Sequence, residues 1–298
     1  MKKNLQIGNA SYQVHSEEHD LYLPGIRLFF EPYLAAALET LEGGECTAID
    51  VGANIGLFSL LLADFFEKVY SIEPGKIAFE NLQKNITNNN IDNISLFNIS
   101  LGSENKRTAI TYLKNNSASA FVADKSFSEN TGYISDPCDM VTLDEICAKN
   151  KIKKISFIKI DVEGYELNVL SGAKNILKIN KPLCYVECNS YCLNVFHNIV
   201  IREYIYKILQ IFPHVYALDS KGPPLCLSTQ PDHASFFHAN AVEQRYMNLL
   251  CGFRDDQLKA FISAYRVSAS APRWKKALRL FLPWFSNRCA TILRFRIC

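Results

Sequence analysis

The 298 residues contain no uncharged apolar stretch as long as a membrane-spanning helix, which needs about 20 residues. Two lysines open the chain, but no apolar run long enough for a signal peptide follows them. The expectation is a cytoplasmic protein whose ten cysteines are reduced thiols packed as small apolar side chains. Repeats, collagen-like periodicity and wholly disordered stretches are also missing. Two phosphate cradles are absent as well. The glycine-bearing turn Gly52-Ala53-Asn54-Ile55-Gly56 has asparagine where G-x-G-x-x-G needs its middle glycine. Leu57 follows Gly56, so the lysine of a P-loop is lacking too.

What is present is ordinary for a folded chain: 48% apolar and 12% aromatic residues, enough for one large domain or a domain with an appendage. The charge is unevenly placed. Residues 272–298 carry seven Lys or Arg and no acid, whereas the rest carries 25 basic and 30 acidic residues, a formal −5. In that basic segment Trp274, Leu278, Phe281, Leu282 and Phe285 share one side at helical spacing, and Pro283 should bend or break the helix. Three readings stand: a terminal helix packed on its own domain, a helix lying on the inner membrane face, and, less favoured, a nucleic-acid contact. The expected division is a lead-in with a helix over 1–45, a main domain over 46–268 and a basic amphipathic tail over 269–298.

Apolar runs alternate with amphipathic stretches from about residue 30 to 210. The pattern predicts strands at 46–51, up to Glu73, at "NISLFNIS", "KRTAITYL", "KISFIKIDVEG" and "PLCYVEC", with helices at 31–41, 56–67, 76–89, 142–150, 165–178 and 195–211. Thr142 is an expected N-cap, with Glu145 three residues on. "HVYALDSKGPPLCLST" reads as two strands joined by a Gly-Pro turn, and residues 114–137 as a long polar loop. Such alternation predicts an α/β fold, a mainly parallel sheet with helices on both faces. Ligands then sit outside the carboxyl ends of the strands. Asp50, Glu73, Asp161 and Glu187 each close an expected strand, which favours one common site over four solvated turns.

Gly52 and Gly56 permit tight turning and close approach to a ligand. Asp50 beside them would repel phosphate and attract a cation, and Glu73 suits the two hydroxyls of a ribose. A ligand with a ribose and a positive end but no phosphate fits S-adenosylmethionine. At this point "IDVGANIGLFSLLLA", "VYSIEP" and "FIKIDVEGYELNVLSGAKNIL" together resemble the FkbM-type family of class I S-adenosylmethionine-dependent methyltransferases. The resemblance runs from about Glu31 to Cys188. It implies a Rossmann-like, mainly parallel seven-stranded sheet with an antiparallel final strand. It also implies O-methylation of a hydroxyl on a sugar, glycan or natural product. Carried across, Asp50, Gly52, Asn54 and Gly56 would line the methionine end of the cofactor, Glu73 would hold the ribose, and Asn98 and Ser100 would lie near adenine. Asp161 would face the sulfonium and the incoming hydroxyl, with Glu163 and Gly164 completing its turn and Glu187 a further substrate-site candidate.

A hydroxyl becomes a good nucleophile once a positioned base takes its proton. Asp161 and Glu163 are the two candidate catalytic bases; the alternative for both is to hold the cofactor's ammonium. Phe58 and Tyr165 are candidates for cation–π contact with the sulfonium, with packing as the other reading. No metal is expected. Cys184, Cys188 and Cys192 form C-x₃-C-x₃-C, one residue off an iron–sulfur spacing, and Cys184 falls in a buried strand. His233 and His238 have no partner acid at metal spacing, and the acid cluster of magnesium-dependent methyltransferases is not seen. Other readings of the whole are an N-methyltransferase and an inactive adapter docked by its basic tail.

Overall fold

The computed structural model describes residues 1–270 apart from 9, 19, 27–28, 42–45, 114–115, 123–132, 220–221 and 230–232. The basic segment 272–298, and with it all three readings of its pattern, lies outside the described residues. Among the described residues no helix is long and apolar enough to cross a membrane.

The N-terminal stretch is more than a lead-in. Strands β1 (Lys2–Ile7) and β2 (Ala10–His15) form a hairpin with Ile7 opposite Ala10, so the connection spans two residues. The first is Gly8, at φ +57°. After the short helix α1 (Tyr22–Gly25), β3 (Phe29–Phe30) adds to β1 in parallel. The expected helix follows as α2 (Pro32–Leu38). Alternation buries Leu5, Ile7, Tyr12 and Val14, which join the same core as the later helices.

Next come β4 (Thr47–Val51), α3 (Leu57–Ala63), β5 (Lys68–Ile72), α4 (Lys76–Asn88) and β6 (Ile94–Phe97), close to their expected bounds. Asn85 of α4 ties this unit to the hairpin. Its Nδ2 donates to the carbonyls of His15 (3.0 Å) and Ile55 (2.8 Å), while His15 N donates to its Oδ1 (2.7 Å). A fully buried amide is tolerated because both ends are bonded. It also fastens the N-terminal sheet to the glycine-bearing turn.

The largest departure from expectation lies at 114–137. Strands β7 (Ser100–Leu101), β8 (Lys106–Leu113), β9 (Asn116–Val122) and β10 (Tyr133–Val141) form a second sheet in the order β7-β10-β8-β9. β10 pairs with β8 along eight residues, from Tyr133 opposite Leu113 to Met140 opposite Lys106. The polar residues of β10 suggest a loop because one face of that strand is largely exposed.

The chain continues through α5 (Leu143–Lys149), β11 (Ile155–Ile160), α6 (Glu166–Ser171), α7 (Lys174–Asn180), β12 (Leu183–Glu187), α8 (Ser190–His197) and α9 (Ile201–Ile211). Thr142 caps α5 as expected, accepting from Glu145 N at 3.2 Å. Two expected helices are each divided. Gly172 parts α6 from α7; a Cβ there would lie 2.0 Å from the Gly102 carbonyl oxygen. Asn198, left-handed at φ +54°, ends α8 before α9 begins. Last come β13 (His214–Leu218), β14 (Leu225–Cys226), α10 (Ala234–Ala241), β15 (Asn248–Gly252) and α11 (Asp255–Ser270).

The main sheet has the order β14-β13-β15-β12-β11-β4-β5-β6. β6, β5, β4, β11 and β12 are parallel, β15 runs antiparallel between β12 and β13, and the two-residue β14 adds an eighth, edge strand to the seven expected. Successive residues feed two cores. Ala48, Phe157, Leu183 and Leu250 join the core with α3 and α11; Ile49, Ile158, Cys184 and Leu249 join the one with α5, α7 and α9. This is a sheet covered on both faces. The strand order reverses between β4 and β11, which places the ligand crevice at their carboxyl ends.

Candidate functional site

A cavity of about 290 Å³ opens at that reversal point. Its floor is the turn after β4. Gly52 (φ +76°), Asn54 (φ +50°) and Gly56 (φ +95°) take left-handed conformations; Gly52 and Asn54 line the cavity, whereas Gly56 does not and opens α3. A Cβ on Gly52 would lie 1.8 Å from the Asp161 carbonyl oxygen, so only glycine lets β4 and β11 end this close.

Glu73 stands at the end of β5, buried and facing the cavity. Its Oε2 accepts from Asn54 N (2.8 Å) and its Oε1 from Gly75 N (2.7 Å). Burial pushes this carboxyl up to about 7, against the pull of those two backbone amides. Each oxygen keeps a further lone pair for a ligand hydroxyl. Ser100, buried at the start of β7, also lines the cavity. Asn98, expected beside it, lies outside this lining. It is exposed, and its Nδ2 braces the Glu73 and Pro74 carbonyls at 2.8 and 3.1 Å.

Asp50, also expected at the methionine end, lies deeper. It is fully buried beneath the turn and does not line the cavity. Its Oδ2 accepts from Ser59 Oγ at 2.6 Å, and Ser59 Oγ in turn accepts from Ser71 at 2.8 Å. Its Oδ1 lies 3.3 Å from Lys159 Nζ. The charge meant for a ligand is thus spent on a buried lysine that the sequence reading passed over. Lys159 also donates to the Gly52 carbonyl at 2.6 Å and lies 3.4 Å from Asp161 Oδ2. Burial opposes its charge, but Asp161 and Asp50 outweigh it and hold the ammonium above the usual lysine value.

The opposite wall is acidic. Asp161 and Glu163 follow β11, Glu187 ends β12, and oxygens from all three lie within 4.8 Å of one another. The sequence reading saw no acid cluster because the two segments meet only when β11 and β12 pair in parallel. Among the described residues this is the only such set; Cys184, Cys188 and Cys192 form none, and His233 bonds the Leu227 carbonyl at 2.8 Å. Burial first, then Asp161, pushes Glu163 up to about 8; the same causes hold Glu187 well above the carboxylate range. Cys192 Sγ donates to Glu163 Oε2 at 2.9 Å.

Glu166 explains the acid two residues after "DVEG". Its Oε1 accepts from Gly164 N (2.9 Å) and Val162 N (3.2 Å), which holds Glu163 at φ +55° and Gly164 at φ +97°. The first turn of α6 therefore sets where Glu163 points. Phe58 and Tyr165 line the cavity yet are engaged. Phe58 faces Lys159, 5.6 Å from its ring centre, and packs on Tyr185; Tyr165 packs on His197. Tyr22 and Phe30 from the N-terminal segment, and Phe121 from β9, complete the walls. The sequence reading placed none of these three in the site.

Fold and site together define a Rossmann-like class I methyltransferase architecture. The sequence pattern of the Methyltransferase FkbM domain matches residues 50–210, more than half of the chain, and the protein belongs to that family. It is 23% identical over 141 residues to Methyltransferase 1 of Beauveria bassiana, covering 42% of this chain and 57% of that one. It is 25% identical over 183 residues to a tRNA/tmRNA (uracil-C(5))-methyltransferase of Vibrio parahaemolyticus, covering 59% and 48%. The crystal structure of an FkbM methyltransferase from Methylobacillus flagellatus KT matches at a TM-score of 0.39 and 23% identity, over 57% of this chain and 38% of that one. The chain spans about half the length of the curated relatives it matches.

Proposed function

We propose that the protein is an S-adenosylmethionine-dependent O-methyltransferase acting on a hydroxyl of a small-molecule or glycan acceptor. The observation that carries this reading is that the turn from Gly52 to Ile55, Glu73 and the Asp161–Glu163 face surround one cavity. The donor set fits the cofactor. Asn54 Oδ1 and Glu187 Oε2 are buried acceptors without a partner, both on residues lining the cavity, and a ligand ammonium or hydroxyl would satisfy them. Bound there, the cofactor supplies an electrophilic methyl group on a sulfonium. Glu73 accepts the ribose hydroxyls, and Asp161 faces the positive end. Glu163 takes the proton of the acceptor hydroxyl.

Charge supports an acceptor without phosphate. Glu73, Asp161, Glu163 and Glu187 face the cavity, while Lys159, its one lining lysine or arginine among the described residues, is already held by Asp50, Asp161 and the Gly52 carbonyl. Some relatives bear names of tRNA methyltransferases; a phosphate would meet no uncommitted lysine or arginine among the described residues that line this cavity. The test is calorimetry with S-adenosylhomocysteine. The wild type should bind at micromolar Kd, and Glu73→Ala should weaken it at least about thirtyfold, the loss of two hydrogen bonds to a charged group. A folded wild type that binds nothing would return the adapter reading.

The proposal extends to the basic segment. Its lysines and arginines around an apolar side would hold the enzyme on an anionic surface. Removing 272–298 should then abolish sedimentation with vesicles containing phosphatidylserine and leave cofactor binding unchanged. Equal sedimentation with and without the segment would remove the membrane role.

A further inference from the structure

We propose that Lys159 is a positioning residue that locks the cofactor turn to the acid wall. The inference rests on the cofactor reading above. Parallel pairing sets Lys159 beside Asp50 on β4 and beside Tyr185 on β12, and all three point to the α3 side of the sheet. Lysine in the middle of a doubly covered sheet is costly unless it is both paired and hydrogen-bonded. Here Nζ donates to the Gly52 carbonyl at 2.6 Å and the Val51 carbonyl at 3.4 Å, and pairs with Asp50 Oδ1 at 3.3 Å and Asp161 Oδ2 at 3.4 Å. The Phe58 ring covers its remaining side at 5.6 Å.

These partners belong to different parts of the site. Gly52 shapes the turn under the cofactor, Asp161 faces the ligand, and Asp50 lies below both. One ammonium therefore fixes the distance between the turn and the carboxylate. Asp161 is more than two-fifths exposed at its side chain, whereas Lys159 is almost wholly buried. The lysine is the buried member, and it pairs with the more exposed acid at the rim of the turn. A compact ammonium suits this three-way contact better than a planar guanidinium.

The alternative is that Lys159 only neutralises buried Asp50. Two variants separate these roles. Lys159→Met leaves Asp50 buried and unpaired and should lower thermal stability sharply. Asp50→Asn combined with Lys159→Met removes both buried charges and should recover most of the melting temperature. If Lys159 positions the site, the double variant still binds S-adenosylhomocysteine about tenfold or more weakly than the wild type, the size of a lost charged hydrogen bond. Wild-type affinity in a stable double variant would overturn the proposal and leave the cofactor reading standing. Failure of the wild type itself to bind would overturn that reading, and Lys159's role with it.

Discussion

Gly52→Ala is expected to abolish S-adenosylhomocysteine binding and to destabilise the fold by about 3 kcal/mol or more. Two costs combine. At φ +76° any side chain is strained. The new Cβ would also meet the Asp161 carbonyl oxygen at 1.8 Å. That atom is backbone, so no rotamer change relieves the clash. Either the turn or the end of β11 must retreat, and both carry the site. Lys159, bonded to the Gly52 carbonyl and beside Asp161, would be dragged with them. Gly56→Ala should be milder, since its Cβ would meet the flexible end of Leu82 at 2.5 Å, although φ +95° still imposes strain. Gly25→Ala is the control: nothing lies within 4 Å of its Cβ. Thermal melts and calorimetry on the three variants give the order. A Gly52→Ala protein with wild-type affinity would show that the two strand ends are not locked together.

The sequence disclosed the framework where burial is two-sided. β4, β5, β11 and β12 are short apolar runs because both faces are covered, and such runs survive without any alternation to decode. β10 has one largely exposed face, and both β9 and β10 carry many polar residues, which hid them inside an apparent loop. The hairpin at the N-terminus was readable, since Gly8-Asn9 separates two alternating stretches. The site was half legible for a reason of height along the strands. Asp50 lies within β4, level with Lys159 and Ser71, so its side chain stays beneath the sheet's ligand end and meets Ser59 and Lys159. Glu73 and Asp161 lie two register steps higher, one residue beyond their strands, and line the cavity. An acid near a strand end is therefore not one position but two, at different depths. Lys159 had a signal of its own: a lysine inside "FIKID" in a buried strand must have a buried partner. Asp50, seven strands earlier in sequence but adjacent in space, becomes that partner only through the β4–β11 register.

Glu163→Gln should lower kcat by about 10² to 10⁴, the range for loss of a positioned general base. The measurement uses radiolabelled methyl donor and any hydroxyl acceptor that the wild type turns over. The sign of the pH dependence follows from the environment. A base works when deprotonated, and burial with Asp161 nearby pushes Glu163 up to about 8. Wild-type kcat should therefore rise with pH through about 8 and then level. The charged and titratable neighbours that set this limb are Asp161, Glu166, Glu187, Lys159 and Cys192. Cys192 donates to Glu163 at 2.9 Å and so favours its charged form. Cys192→Ala removes that donor and should move the limb to higher pH, while Glu163→Gln should abolish it. Asp161→Asn answers differently. Because Asp161 lines the cavity and pairs with Lys159, its loss should weaken cofactor binding more than it changes the pH limb. If Glu163→Gln costs less than tenfold and the limb remains, Glu163 only orients the ligand and the proton leaves by another route. If instead the limb vanishes with Asp161→Asn, the base is Asp161, and the left-handed turn held by Glu166 serves to shape the acceptor's side of the cavity.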